Sequence, residues 1–310
     1  MYQVITIGSA LVDIFIYAEA FKSKADPKGD FLCQRYGDKI EIDSFKVYSG
    51  GGASNTAVAF SRLGLRSAII CETGRDSFQQ IVINELINEG VETNFIVREK
   101  KEQTGGSVIL VGEKGQRIIM VHRGASSMLD SFDIPTFWLS KAGWVHLSSI
   151  AGKQDTLEKI FKILNKEKNI GLSWNPGKAE LALLREQKIK IEEIPCKILF
   201  LNKEEWQILE PVHQQILKTI SQVLVTDGSK GGDLFLMGKY ELRYQSDKVK
   251  SIDNTGAGDA FAAAYTASQI LSHPPKTSIQ WGIKNACSVV KYFGAKTGLV
   301  RREQMQKLVV

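Results

Sequence analysis

The chain has 310 residues, 43% hydrophobic and 24% charged, enough to bury a large core and ordinary for a globular protein. Its net charge of +6 is spread over mixed-sign stretches such as "REQKIKIEE" and "KEKNI", which read as solvated surface and argue against a nucleic-acid partner. The four cysteines stand far apart with no CxxC pair, no run of about twenty apolar residues occurs, and the first residues lack a basic leader; the expectation is a protein of the reducing cytoplasm that does not enter a membrane.

The first apolar run, "QVITIG" (3–8), reads as a buried strand. Residues 30–49, "DFLCQRYGDKIEIDSFKVYS", have the β-branched and aromatic bias of further strands. A helix is predicted from near Ala53, then the strand "RSAII" (66–70) and a helix on the i, i+4 pairs Val82/Leu86 and Ile83/Ile87. Residues 104–123 read as two strands around the turn "GEKG", a hairpin. Beyond it strands and helices alternate: "GWVHLSS" (143–149), a helix with Leu157, Ile160, Phe161 and Leu164 on one face, "NIGLSW" (169–174), "CKILFLN" (196–202) and "SQVLVTDG" (221–228). An apparent strand ending at Asp253 feeds an alanine-rich helix that lasts to about Leu271.

This order predicts an α/β fold: an open, mostly parallel sheet with helices on both faces and ligands at the carboxyl ends of the strands. The pieces that break the alternation, at about 13–48 and 92–123, are expected to pair into a small β-sheet lid over one end, within a single domain spanning 1–310. The exposed edges of such a lid offer a way for two subunits to pair.

Two glycine-rich turns carry the chemistry. "YSGGGASNTAVAFSRLG" (48–64) misses the dinucleotide fingerprint because position 55 is Asn where GxGxxG requires Gly. Its glycines let a ligand approach the backbone, and Asn55 adds a donor and an acceptor. That combination suits a polyhydroxyl compound; it equally suits a tight turn with Asn55 as a local cap. In "DNTGAGDAF" (253–261), Gly256, Ala257 and Gly258 let successive N–H groups converge at a helix N-terminus, the outline of an anion hole. No GxxxxGK[ST] occurs, so this is not a Walker loop. Asp259 falls in the first helical turn, where the dipole is expected to keep it ionised. It is either an ordinary N-terminal acid or the base that takes a proton from a hydroxyl attacking phosphorus.

Together these turns resemble the two signatures of the PfkB carbohydrate kinases, also called the ribokinase family. The resemblance extends along nearly the whole chain. "ITIGSALVD" (5–13) is similar to the first strand and substrate-binding aspartate, here Asp13, and "TGGSVILVGEKGQRIIMVHRGA" (104–125) to the lid strands. "FLNKEEW" (200–206) resembles the NxxE motif, "VTDGSKGG" (225–232) the segment lining the nucleotide, and "NACSVVKYFGAKTG" (285–298) the helix and loop beside the adenine.

The resemblance implies an ATP-dependent kinase acting with Mg²⁺ on a primary hydroxyl of a small sugar. Asp259 would be the general base, and the N–H groups of Gly256, Ala257 and Gly258 would stabilise the transferring phosphoryl group. Asp13, Gly51, Gly52 and Asn55 would hold substrate hydroxyls. Asn202, Thr226, Gly228, Lys230 and Gly231 would border the nucleotide. Asn285 would approach the adenine or, as a polar helix residue, face another helix. Asn202 and Glu205 would organise Mg²⁺ through its waters. The resemblance also suggests K⁺ near residues 253–255 and 294–298.

Two departures bear on the substrate: family members of the ribokinase type often carry Asn where Leu11 stands and Lys where Gly52 stands. A nucleoside kinase is the alternative, with Phe15, Phe31 or Tyr36 as a surface for the base or simply as packing. Arg123 stands either to meet a substrate anion or to hold the lid. A binding protein that keeps the fold without the chemistry is the reading of another class; a nicotinamide-dependent oxidoreductase is opposed by the missing fingerprint after the first strand.

Overall fold

Runs of β-branched and apolar residues set the strands. The computed structural model describes residues 1–26, 29–98, 101–112 and 117–309. Its strands are β1 (Val4–Ile7), β2 (Leu11–Tyr17), β3 (Ser23–Lys24), β4 (Phe31–Leu32), β5 (Ser44–Gly50), β6 (Ser67–Thr73), β7 (Ile96–Arg98), β8 (Gly106–Val111) and β9 (Arg117–His122). They continue with β10 (Trp144–Leu147), β11 (Gly171–Trp174), β12 (Ile198–Asn202), β13 (Gln222–Thr226), β14 (Gly232–Leu236) and β15 (Lys239–Tyr244). The helices are α1 (Gly52–Arg62), α2 (Ser77–Asn88), α3 (Thr136–Leu139), α4 (Gln154–Lys166), α5 (Lys178–Arg185), α6 (Lys203–Ile208), α7 (His213–Thr219), α8 (Ala257–Ile270), α9 (Pro275–Val289) and α10 (Arg302–Leu308).

One large sheet has the order β15-β14-β13-β12-β11-β10-β1-β6-β7. From β7 to β13 all neighbours are parallel; β14 and β15 turn back antiparallel at one edge. Alternation along each strand divides the core. Ile5, Ile7, Val145, Leu147, Leu172 and Leu199 pack with α4 and α5 on one face, whereas Val4 and Ile69 pack with α1 and α8 on the other. The predicted face of α4 is buried throughout, but Ile87 on α2 is 56% exposed, so only Val82, Ile83 and Leu86 of its four apolar positions turn inward. Among the described residues no helix is long and apolar enough to cross a membrane.

The chain leaves β1 towards β6 and β7, then returns to β10 on the other side of β1. Loops after β1 and β10 therefore part at a topological switch, which opens a crevice at their carboxyl ends.

The second sheet, β5-β2-β8-β9, is the lid. Its central pair β2 and β8 is parallel, with Asp13 beside Ser107. Three expectations need correction. Ile96–Arg98, inside the stretch assigned to the lid, pairs with β6 at the edge of the large sheet. Within 30–49 only Phe31–Leu32 and Ser44–Gly50 are extended, the first in a two-stranded ribbon with β3. The segment before Asp253 is not a strand: it crosses from the edge strand β15 back towards α8, and the N–H groups of Ile252 and Asp253 both donate to Val290 O. The turn "GEKG" is 112–115, and its residues 113–115 lie outside the described residues.

Helices α1 and α8 meet through small side chains. Ala53, Ala57, Ala260, Ala263, Ala264 and Ala267 are all at most 1% exposed and belong to one cluster, so the backbones approach closely and the two glycine-rich N-termini stand side by side. Ala263→Leu is expected to wedge the helices apart, costing about 1–3 kcal/mol in denaturant unfolding and lowering turnover in the fraction that stays folded.

Candidate active site

The site is assembled at the N-termini of α1 and α8. Gly256 caps α8 with φ 77, and a Cβ there would collide with Ala295, so both conformation and space require glycine. Ala257, Gly258 and Asp259 follow as the first helical turn, with their N–H groups at the positive end of the dipole. On the facing helix, Gly52 N and the Ala53 and Ser54 N–H groups are held by Ser9, through its Oγ and carbonyl respectively. Asn55 then lies one turn in, and its Nδ2 donates to Asp259 Oδ2 at 2.8 Å across 204 residues of sequence. The local-cap reading of Asn55 is thus replaced: α1 has no side-chain cap, and the amide spans the two signatures.

The carboxyl of Asp259 is pushed up to about 6, chiefly by burial, while the Asn55 bond and the Lys296 charge pull the other way. Burial thus works against the helix dipole, yet a carboxyl at about 6 is still mostly ionised at neutral pH. Asn55 Oδ1 and Ser148 Oγ are both buried and find no partner among the described residues. Ser148, at the end of β10, fills the space in front of Gly52, where a Cβ would collide with it. Glycine at position 52 and serine at 148 are therefore a matched pair.

Asp13 reaches the same region from the lid. It is buried, accepts a short hydrogen bond from Ser107 Oγ, and burial holds its carboxyl above the usual range, against the Ser107 bond and Lys296. Lys296 lies beneath the 50–52 turn, 3% exposed, and donates to Ser49, to Ser54 at 2.6 Å and to Glu85 at 3.2 Å. Burial lowers its pKa against the pull of Glu85 and Asp13. No local pattern signals this ammonium in the sequence; it is set by contacts more than 200 residues apart.

Beyond Asp259 a cavity of about 270 Å³ is lined by Asn175, Phe200, Asn202, Glu205, Thr226, Gly256, Gly258 and Phe261, among others. Asn202 and Glu205 form a reciprocal cap at its rim: Asn202 Oδ1 accepts from Glu205 N and Glu205 Oε2 from Asn202 N, both at 2.8 Å. Burial raises the Glu205 carboxyl. Gly228 and Lys230 sit on an exposed turn after β13, and Gly231 is buried where that turn enters β14; none of the three lines the cavity. Asn285 is corrected outright. It is fully buried, its Nδ2 donates to Ala260 O at 2.8 Å and its Oδ1 accepts from Val300 N at 2.9 Å. It ties α9 to α8 and does not face the cavity.

A doubly wound sheet with a small lid, two facing glycine-rich helix starts and a carboxylate between them define a kinase of small hydroxyl compounds. The model of the pfkB family of carbohydrate kinases matches residues 1–302, and the chain belongs to that family of phosphotransferases. Fructokinase of Vibrio alginolyticus is 26% identical over 285 residues, 84% of this chain and 91% of its own. Arabidopsis thaliana ribokinase complexed with ribose and ATP has a TM-score of 0.79 at 21% identity, over 99% of this chain and 98% of that one. An Escherichia coli chain solved with ATP and Mg²⁺ has a TM-score of 0.81 at 21% identity, over 100% and 99%. Both structural likenesses are likenesses of fold.

Proposed function

We propose that the chain transfers the γ-phosphoryl group of ATP to a primary hydroxyl of a small sugar. The observation that carries this reading is the Asn55–Asp259 hydrogen bond, which puts a hydroxyl-binding amide and a carboxylate of raised pKa at the mouth of an anion-binding helix start. Asp259 accepts the hydroxyl proton as that oxygen bonds to phosphorus and the bond to the leaving diphosphate breaks. The N–H groups of Gly256 and Gly258 face the charge that develops on the transferring group, while the Ala257 N–H donates to Asn254 O at 3.3 Å and holds the turn. Asp13, Gly51, Gly52 and Asn55 orient the sugar, joined by Ser148.

Thr226, Gly228, Lys230 and Gly231 border the nucleotide, with Asn202 between it and the metal. Mg²⁺ retains most of its water and asks for one or two carboxylates, so the single Glu205 with Asn202 at the cavity rim fits it. Bound there, Mg²⁺ would neutralise phosphate charge. A nucleoside is the less favoured acceptor. Phe15 is packed edge-on against Tyr48 and Phe293 and is not free to stack a base, so such an acceptor would depend on Phe31 and Tyr36, which are exposed. The cytoplasmic reading rests on the separated cysteines, all four of them free thiols.

A panel of sugars and nucleosides assayed for ATP consumption is expected to yield a sugar as best acceptor. Asp259→Asn should lower kcat by about 10²-fold or more; turnover close to the parent would exclude the base assignment. Because the carboxylate must be ionised to accept a proton, kcat/KM should fall as pH drops through about 6. Thermal stabilisation by a sugar with no turnover of any acceptor would favour the binding-protein reading instead.

We also propose a homodimer through the lid. On β9, Ile118, Ile119, Met120 and Val121 are 42–59% exposed and alternate between the two faces of this edge strand, while Phe45 is exposed on β5 at the opposite edge of the lid sheet; an edge strand with apolar side chains is a surface on which a second copy can pair. Sedimentation should give a dimer that Ile119→Lys with Val121→Lys dissociates; a wild-type monomer at assay concentration would contradict it.

A further inference from the structure

Asp253 begins the turn that leads into the anion-hole glycines, and it is 3% exposed. Its Oδ1 accepts from Thr255 N at 3.0 Å, from Thr255 Oγ1 at 2.7 Å and from Arg117 Nη1 at 2.5 Å. Its Oδ2 accepts from Gly294 N at 3.1 Å. The guanidinium is the first residue of the lid strand β9, 136 positions away in sequence, and also reaches Thr255 Oγ1 at 3.3 Å. A carboxylate this deeply buried requires a counter-charge. The lid supplies it.

The resemblance to the family leads one to expect a potassium ion here, held by oxygens of 253–255 and 294–298. The residues present do not fit one. Four protein donors converge on the Asp253 carboxylate, one of them already cationic. In the other segment, Lys296 O accepts from Arg62 Nη1 at 2.8 Å and from Leu299 N at 3.1 Å. A desolvated K⁺ needs a shell of free oxygens, and a second positive charge beside Arg117 would be repelled.

We propose that Arg117 is a positioning residue that takes the place of a monovalent cation. By pairing with Asp253 and touching Thr255, it fixes the turn from which the Gly256 and Gly258 N–H groups project. Because the charge arrives on the lid, the anion hole is completed only while the lid is down over the substrate. The proposal rests on reading the Gly256 and Gly258 N–H groups as the phosphoryl-side donors.

The test compares the wild-type chain with Arg117→Ala and Arg117→Lys in KCl and in tetramethylammonium chloride at equal ionic strength, by steady-state kinetics and by thermal midpoint. Wild-type rates should agree within about twofold between the salts, with no midpoint gain specific to K⁺. Arg117→Ala should lose about tenfold or more in kcat, with a smaller change in KM, and K⁺ should restore part of the loss and raise its midpoint. Arg117→Lys, which keeps the charge, should lose less than Arg117→Ala. A wild-type chain that depends on K⁺ for turnover or gains midpoint from it would overturn the proposal, as would Arg117→Ala with full kcat in tetramethylammonium. The midpoints report on the charge at Asp253 even if no acceptor is turned over, so failure of this proposal and failure of the kinase reading give different results.

Discussion

The hydrogen bond between Asn55 and Asp259 holds the site together, and much of the fold can be understood as what brings those two side chains to 2.8 Å. They belong to helices far apart in sequence whose N-termini meet only because alanines line the contact between α1 and α8. Those helices in turn lie over the strands at the point where the sheet order reverses, so their glycine-rich starts open into the same crevice. Gly256 and Gly52 are required there for different reasons. The first adopts a left-handed conformation against Ala295; the second leaves room for Ser148.

Buried charge is the second organising feature. Asp13, Asp253, Asp259 and Lys296 all stand within the region between lid and sheet, and burial drives Asp13, Asp259 and Lys296 towards their neutral forms. Each is compensated locally: Asp13 by Ser107, Asp253 by Arg117, Asp259 by Asn55 and Lys296 by Glu85. Such groups are costly to desolvate and weak evidence for stability. Their value lies in electrostatics already in place when a phosphoryl group moves.

The parallel strands and the long amphipathic helix α4 were legible in the sequence because unbroken apolar runs and a 3.6-residue period belong to residues buried on both faces or on one. The edge strands β7, β14 and β15 were not, since half-exposed strands carry too little apolar signal. The stretch before Asp253 gave the opposite error, having strand-like alternation without a neighbour to pair with. In the site, the glycine turns, Asp259, Asn55, Asn202 and Glu205 could be read because each motif is local. Ser148, Lys296 and Arg117 could not, because their roles come from contacts between distant segments. Asn285 shows the reverse: a polar helix residue fits a ligand or another helix equally well until its partners, Ala260 and Val300, are seen.

The central claim is that Asp259 is the base and that Asn55 tunes it. The measurement that tests this most directly is the pH dependence of kcat for Asn55→Ala on the best acceptor. Loss of the Asn55 bond removes an influence that lowers the Asp259 pKa, so the acid limb should move to higher pH than in the wild-type chain. An acid limb that stays where it is would contradict the account.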